Sequence, residues 1–229
     1  MTITATTLNR AAGLAAVVGG LLYVAVQINH PHLDLTFITT AEWKIRQAAK
    51  IGFAALSLAG ITGMYLRQVK QIGVLGLIGY VLFAVNFLTM LSIEIIGVVV
   101  LPAIASSAPG YVSDVLAVAT LGKATGDIGL LQSLIALNGV TYIGGGLVFG
   151  IALFRANVLA RWATALLAAG TVATLAIPLL PQVNFRLFAI PTGIAMACLG
   201  YSLWREQRTL TARPLPSPVG SQLDAAGAK

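Results

Sequence analysis

Glu94 is the one carboxylate set inside a long apolar run of this chain, the stretch 72–101. An ionisable side chain in such a place is a functional-site hypothesis by default, because lipid makes it costly to keep. Its chemistry would be that of a general acid or of an anchor for a polar group. The plainer alternative is a pair with Arg46 or Lys50 that fastens two helices together. Asn86 and Asn138 are amides in two different apolar runs, suited to bond across a bundle or to orient a ligand. Tyr142 adds a hydroxyl one helical turn beyond Asn138. Arg46 and Lys50 supply counter-charge, although a lysine near the end of a span also snorkels to head groups.

A second constellation is His30-Pro31-His32 with Asp34, an H-x-H-x-D spacing. Imidazole and carboxylate donors of this kind bind zinc. A fourth ligand is lacking apart from Glu42, so histidines at the end of a span are the simpler reading. No metal and no cofactor is expected.

The inventory also excludes several chemistries. The last apolar run holds no lysine for a retinal Schiff base, and no run holds a histidine for a Ser–His dyad. Gly144-Gly145-Gly146 is not followed by the lysine of a phosphate loop and reads as close helix packing. One cysteine, Cys198, leaves no disulfide framework and no CxxC redox pair.

These groups must be positioned by elements that belong in lipid. Of 229 residues, 58% are hydrophobic before any of the 24 glycines is counted, and 9% are charged, against roughly 25% in soluble domains. Mean hydropathy is +0.90. A soluble enzyme, a disordered chain and a coiled coil are thereby set aside. The net charge of +7 is expected to mark cytoplasmic loops, with no nucleic-acid partner implied.

A span takes about 20 apolar residues. Six stretches qualify: 11–28, 46–66, 72–101, 130–154, 162–180 and 187–204. The expected fold is therefore all-α, one bundle of six transmembrane helices over 1–204, with a disordered cytoplasmic tail over 205–229. The first stretch reads as a retained helix. Placing the N-terminus inside gathers nine of the fourteen lysines and arginines on the cytoplasmic side, so both termini are expected there. The connections 29–45 and 102–129 then lie outside. In the latter, Ser113-Asp114 before Val115, Leu116 and Ala119 reads as the cap of a short surface helix, and the connection could serve as a lid. Pro178, Pro181 and Pro191 are expected to kink or end the last two helices. In the tight loop beside them Asn184 and Arg186 could meet an anionic group, with contact of Arg186 to lipid phosphate the simpler reading.

Helical rise turns position into depth. Counted from Ile72, Asn86 stands about 21 Å up and Glu94 about 33 Å; counted from Leu66, Lys50 stands about 24 Å up and Arg46 about 30 Å. Asn138 and Tyr142 lie about 12 and 18 Å below Leu130. The polar groups converge on the outer half. Asn86, Met90, Glu94 and Gly97 make one stripe, and Asn138, Tyr142, Gly145 and Phe149 make another, so the third and fourth spans are expected to face each other.

Asn9-Arg10-Ala11-Ala12-Gly13, Asn29-His30-Pro31 and Gly60-Ile61-Thr62-Gly63-Met64-Tyr65 resemble segments of uncharacterised multi-pass membrane proteins of high-GC bacteria. The resemblance covers about the first half of the chain. It implies a bacterial inner (plasma) membrane and about six spans, and it carries no reaction.

The expected function is non-enzymatic: binding, sensing or passage of a small lipophilic molecule in an outward-facing polar cavity near spans one to four. Glu94, Asn86, Asn138 and Tyr142 would orient the ligand, with Arg46 or Lys50 as counter-charge. The alternative is a membrane-embedded enzyme acting on an isoprenoid or other lipid, with Glu94 as general acid. The expected partners are the lipid bilayer and that ligand, with a homo-oligomer or a partner subunit as further readings.

Overall fold

The computed structural model describes residues 4–179 and 184–212. All regular structure among them is helical, in eight α-helices: α1 Ala5–Gln27, α2 Ala41–Arg67, α3 Val69–Val99, α4 Leu101–Ile104, α5 Pro109–Ala119, α6 Leu130–Ala156, α7 Arg161–Ala173 and α8 Ile190–Ala212. Short 3-10 segments cover Phe37–Thr39, Thr174–Leu179 and Phe185–Ala189.

Five helices are long and apolar enough to cross a membrane: Ala5–Gln27, Ala41–Arg67, Val69–Ile104, Leu130–Ala156 and Arg186–Gln207. The expected sixth, 162–180, is a shorter apolar helix over Arg161–Ile177. Its α-helical part stops at Ala173 and tightens into the 3-10 segment that contains Pro178. Thirteen α-helical residues rise about 20 Å and the six of the 3-10 segment add about 12 Å, so the α-helical part alone does not reach across a hydrocarbon core of about 30 Å.

The five long helices and the shorter α7 close a ring in the order α1, α2, α3, α6, α7, α8, with α8 packed back on α1. Its axis is filled by buried Phe53, Ile61, Met64, Phe83, Phe149, Leu153 and Met196. The perimeter is apolar as well, with Leu21, Val74, Leu88 and Val140 exposed, the arrangement expected where the solvent is lipid. Burial of apolar surface cannot hold such helices together, because lipid is as apolar as the core; close backbone approach does. The contact of α3 with α6 shows how. Gly79 lies against the backbone of Phe149, and Gly145 lies against the backbone of Phe83, so neither glycine has room for a side chain.

Local chemistry sets the element ends. The Thr4 hydroxyl accepts from the Thr7 N–H at 3.2 Å, and the Thr40 hydroxyl accepts from the Trp43 N–H at 3.1 Å, the N-cap geometry. Gly73 interrupts α3 near its start with φ 54°, a left-handed conformation that glycine adopts without a Cβ penalty. The N–H of Ala160, the N-cap of α7, is met by the Ser202 hydroxyl of α8 at 3.1 Å.

Two expected boundaries move. The surface helix α5 begins at Pro109 and has no side-chain cap. Asp114 is mid-helix and receives the Thr125 N–H at 2.7 Å and the Gly126 N–H at 2.9 Å, pinning the return loop. Those donors, Thr125 foremost, hold its carboxyl below the usual range. At the other end of the bundle, α8 runs to Ala212, beyond the expected tail boundary at 205. The Arg67 guanidinium holds the Glu206 carboxylate through Nη2 and, at 3.2 Å, through Nε, and Leu203 and Gln207 are buried. Pro181 and the remainder of the expected tail, with Pro214, Pro216 and Pro218, lie outside the described residues.

A second core sits above the ring, at the end that carries the 28–40 and 105–129 connections. Phe37, Ile38, Trp43, Leu101, Val112, Val115, Leu116 and Ile128 bury one another there. This loop-end cap roofs the space described next.

Candidate functional site

Beneath the cap, two adjoining recesses open among α1, α2, α3, α5, α6 and the residues preceding α8. The larger, about 720 Å³, is bordered by Tyr23, Lys50, Met90, Glu94, Tyr142, Ile177 and Arg186 among others. The smaller, about 170 Å³, is bordered by Trp43, Gln47, Lys50, Glu94, Leu116, Asn138 and Arg186. Lys50, Glu94, Ala119 and Arg186 belong to both.

The common wall is an ion pair. Lys50 Nζ lies 3.5 Å from Glu94 Oε2, and the two side chains keep only 13% and 12% of their exposure. Lys50 also donates to Gln47 Oε1 at 3.0 Å and stands 5.8 Å from the Trp43 ring centroid. The lysine therefore turns into the bundle and does not snorkel. Gln47 is buried, and the Trp43 indole donates to the Gly97 carbonyl at 2.9 Å. Trp43, Gln47 and Lys50 are spaced 4 and 3 residues apart and share one face of α2. Glu94 and Gly97 answer them from one face of α3.

The two expected stripes do meet, and they divide their labour. Asn138 Nδ2 donates to the Asn86 carbonyl at 2.9 Å, to Asn86 Oδ1 at 3.0 Å and to Thr89 Oγ1 at 3.1 Å. Asn86 is buried and borders neither recess, so it joins α3 to α6 and is not placed to touch a ligand. Asn138 does both. The Tyr142 hydroxyl donates to Thr192 Oγ1 at 2.8 Å, tying α6 to α8 while its ring faces the larger recess. Below, an aromatic floor runs from Tyr23 to Phe53, with centroids 4.2 Å apart, and on to Phe87 at 5.8 Å.

Arg46 is elsewhere. It pairs with Glu42 at 2.8 Å and donates to the carbonyls of Val26, Ile28 and Asn29, closing the C-terminus of α1. A cation there complements the exposed carbonyls of a helix end. Arg186, read from the sequence as a lipid contact, instead borders both recesses and is half-buried.

The histidine constellation comes apart. Asp34 Oδ1 accepts from the Phe37 N–H at 2.8 Å, capping the 3-10 segment. His30 Nδ1 faces the Pro31 carbonyl at 2.9 Å, so Nδ1 carries the hydrogen and Nε2 is buried without a partner. Burial above all lowers the His30 pKa to about 4; Arg186, Lys50 and Arg46 add to this, against the Pro31 bond. Among the described residues no three His, Cys, Asp or Glu side chains gather as a metal site.

Trp43, Gln47, Tyr23 and Arg186 were not among the expected site residues. The 4-and-3 spacing of Trp43, Gln47 and Lys50 carries a signal for the first two. Arg186 is visible as a cation in the tight loop before the last span, while Tyr23 has no signal, since it arrives from α1. No protein-family model, curated protein sequence or solved structure matches this chain.

Proposed function

We propose that this is a bacterial plasma-membrane protein with both termini cytoplasmic, whose loop-end cavity, facing outward, binds a small lipophilic molecule in order to hold, sense or pass it. The observation that carries the reading is the larger recess. Its volume of about 720 Å³ falls within the roughly 300–1,000 Å³ of small-molecule sites, which combine apolar walls with a few placed polar groups. Met90, Ile143 and Ile177 supply the wall, while Tyr142 and the Lys50–Glu94 pair supply the polar points, with Asn138 in the adjoining recess. A carboxylate already engaged by Lys50 offers no support for the alternative of a lipid enzyme with Glu94 as general acid.

The test blocks the space without breaking the bundle. Gly139 borders the larger recess, and a Cβ at its position would meet no described atom within 4 Å. Gly139→Phe should fold like the native protein and fill the recess. Oleyl alcohol or oleate should raise the unfolding midpoint of the native protein in non-ionic detergent and leave the variant unmoved. Equal shifts in both proteins, or none in either, would overturn the reading.

A further inference from the structure

We propose that the ligand of this cavity is an anionic amphiphile with a single hydrocarbon tail, its head group carboxylate or phosphate. The proposal rests on the binding reading above and adds the sign of the head group and the placement of the tail.

The charge balance points to an anion. Two cations, Lys50 and Arg186, and one carboxylate, Glu94, border the joined recesses, an excess of one positive charge however the three pair. The other carboxylates at this end of the bundle are committed elsewhere. Asp34 caps Phe37, Glu42 holds Arg46, Asp114 holds Thr125 and Gly126, and Asp127 accepts from the Gly129 N–H at 2.7 Å. Residues 180–183 contain no acid. A net cation in a half-enclosed apolar space is costly in isolation, and a bound anion offsets that cost through charge-assisted hydrogen bonds. Lys50 and Arg186 also disfavour a charged His30.

The tail has a place of its own. The α-helical part of α7 ends at Ala173, and on α6 Leu130 keeps 88% of its exposure and Val140 70% among the described residues. Gly139, between them, faces open space. The larger recess thus reaches an apolar gap between α6 and Thr174–Leu179, bordered by Ile143, Thr174 and Ile177. A chain lying there stays in hydrocarbon while its head meets the cations.

Four probes with one common tail test the inference: oleate, oleyl phosphate, oleyl alcohol and oleylamine, each titrated against the full-length protein in nanodiscs of neutral lipid. At least one anion should bind about tenfold or more tighter than the alcohol, as expected for a charge-assisted contact, and the amine should bind most weakly. Preference between the two anions would identify the head as carboxylate or phosphate. Arg186→Gln should bring the anions to within about twofold of the alcohol measured on the same variant. Alcohol binding as tightly as both anions in the native protein would overturn the inference and leave the binding reading intact. Failure of all four probes would overturn both.

Discussion

Lys50 of α2 and Glu94 of α3 meet at 3.5 Å in a space where each is nearly hidden from solvent. Removing one member of such a pair strands the other, and stranding a buried charge costs more than the intact pair contributes. Glu94→Gln and Lys50→Met should therefore each lower stability, by about 3 kcal/mol, and the double variant should recover most of the loss. Chemical denaturation of the four proteins in mixed micelles checks this. Additive single effects would mean that the pair is not coupled.

The amide bridge between α3 and α6 is a second, separable term. Asn138→Ala removes three hydrogen bonds and leaves Asn86 buried beside the gap. Interhelical bonds of this kind are worth about 0.6 kcal/mol each and up to about 1.7, so a loss of about 1–2 kcal/mol is expected. A double-mutant cycle with Thr89→Ala, read by unfolding, should return a coupling of about half a kcal/mol. A coupling of zero would remove Thr89 from the bridge.

Glycine substitutions should separate packing from propensity. Alanine at Gly79 or Gly145 forces a methyl into the facing backbone and should destabilise by about 1–3 kcal/mol. Alanine at Gly139 meets open space and should be neutral or stabilising by up to about 1 kcal/mol through helix propensity. Thermal unfolding of the three variants decides it.

Stability should also fall on mild acidification, and His30 supplies the reason. Its pKa is about 4 in the fold against about 6.5 unfolded, so the unfolded chain binds the proton first. Its contribution is complete above about pH 6.5, declines as pH drops, and is exhausted below about pH 4. Solvent screening at this half-buried site reduces the effect to about 1 kcal/mol. His30→Phe should flatten the unfolding midpoint across that window. Asp114→Asn should lower the midpoint near neutral pH, where the carboxylate accepts from Thr125 and Gly126, and lose that effect only in acid, since the Asp114 carboxyl titrates below its ordinary value.

The far turns of α8 depend on Arg67. Replacing it with methionine removes its two contacts to Glu206 and should speed tryptic cleavage after Arg205 and Arg208 severalfold, with little change in the global unfolding midpoint. Unchanged cleavage would show that the Arg67 contact is not what holds this segment.

How much of this was legible beforehand follows from which periodicities survive in lipid. Apolar runs long enough to cross a bilayer are written directly in composition, and five long helices follow from them. The depth match of Asn86 with Asn138 and the facing of α3 on α6 also follow, because rise per residue and angular position are local properties of one helix. The shortness of α7 was not legible. Apolar residues continue through 174–180, and hydropathy does not distinguish an α-helical turn from a 3-10 one. The extension of α8 was hidden for the opposite reason: Arg205, Glu206 and Gln207 look like an exit into water until Arg67 arrives from another helix.

Sequence alone determined that the chain is helical, apolar on nearly every face and polar toward one end, since each of these depends on neighbours along the chain. Tertiary structure alone decided which polar groups share a space. It took Arg46 away to close α1, sank Asn86 between two helices, turned Lys50 inward and brought Arg186 to the same wall. Such choices depend on how six helices close into a ring, and contacts between residues far apart in sequence leave no period to read.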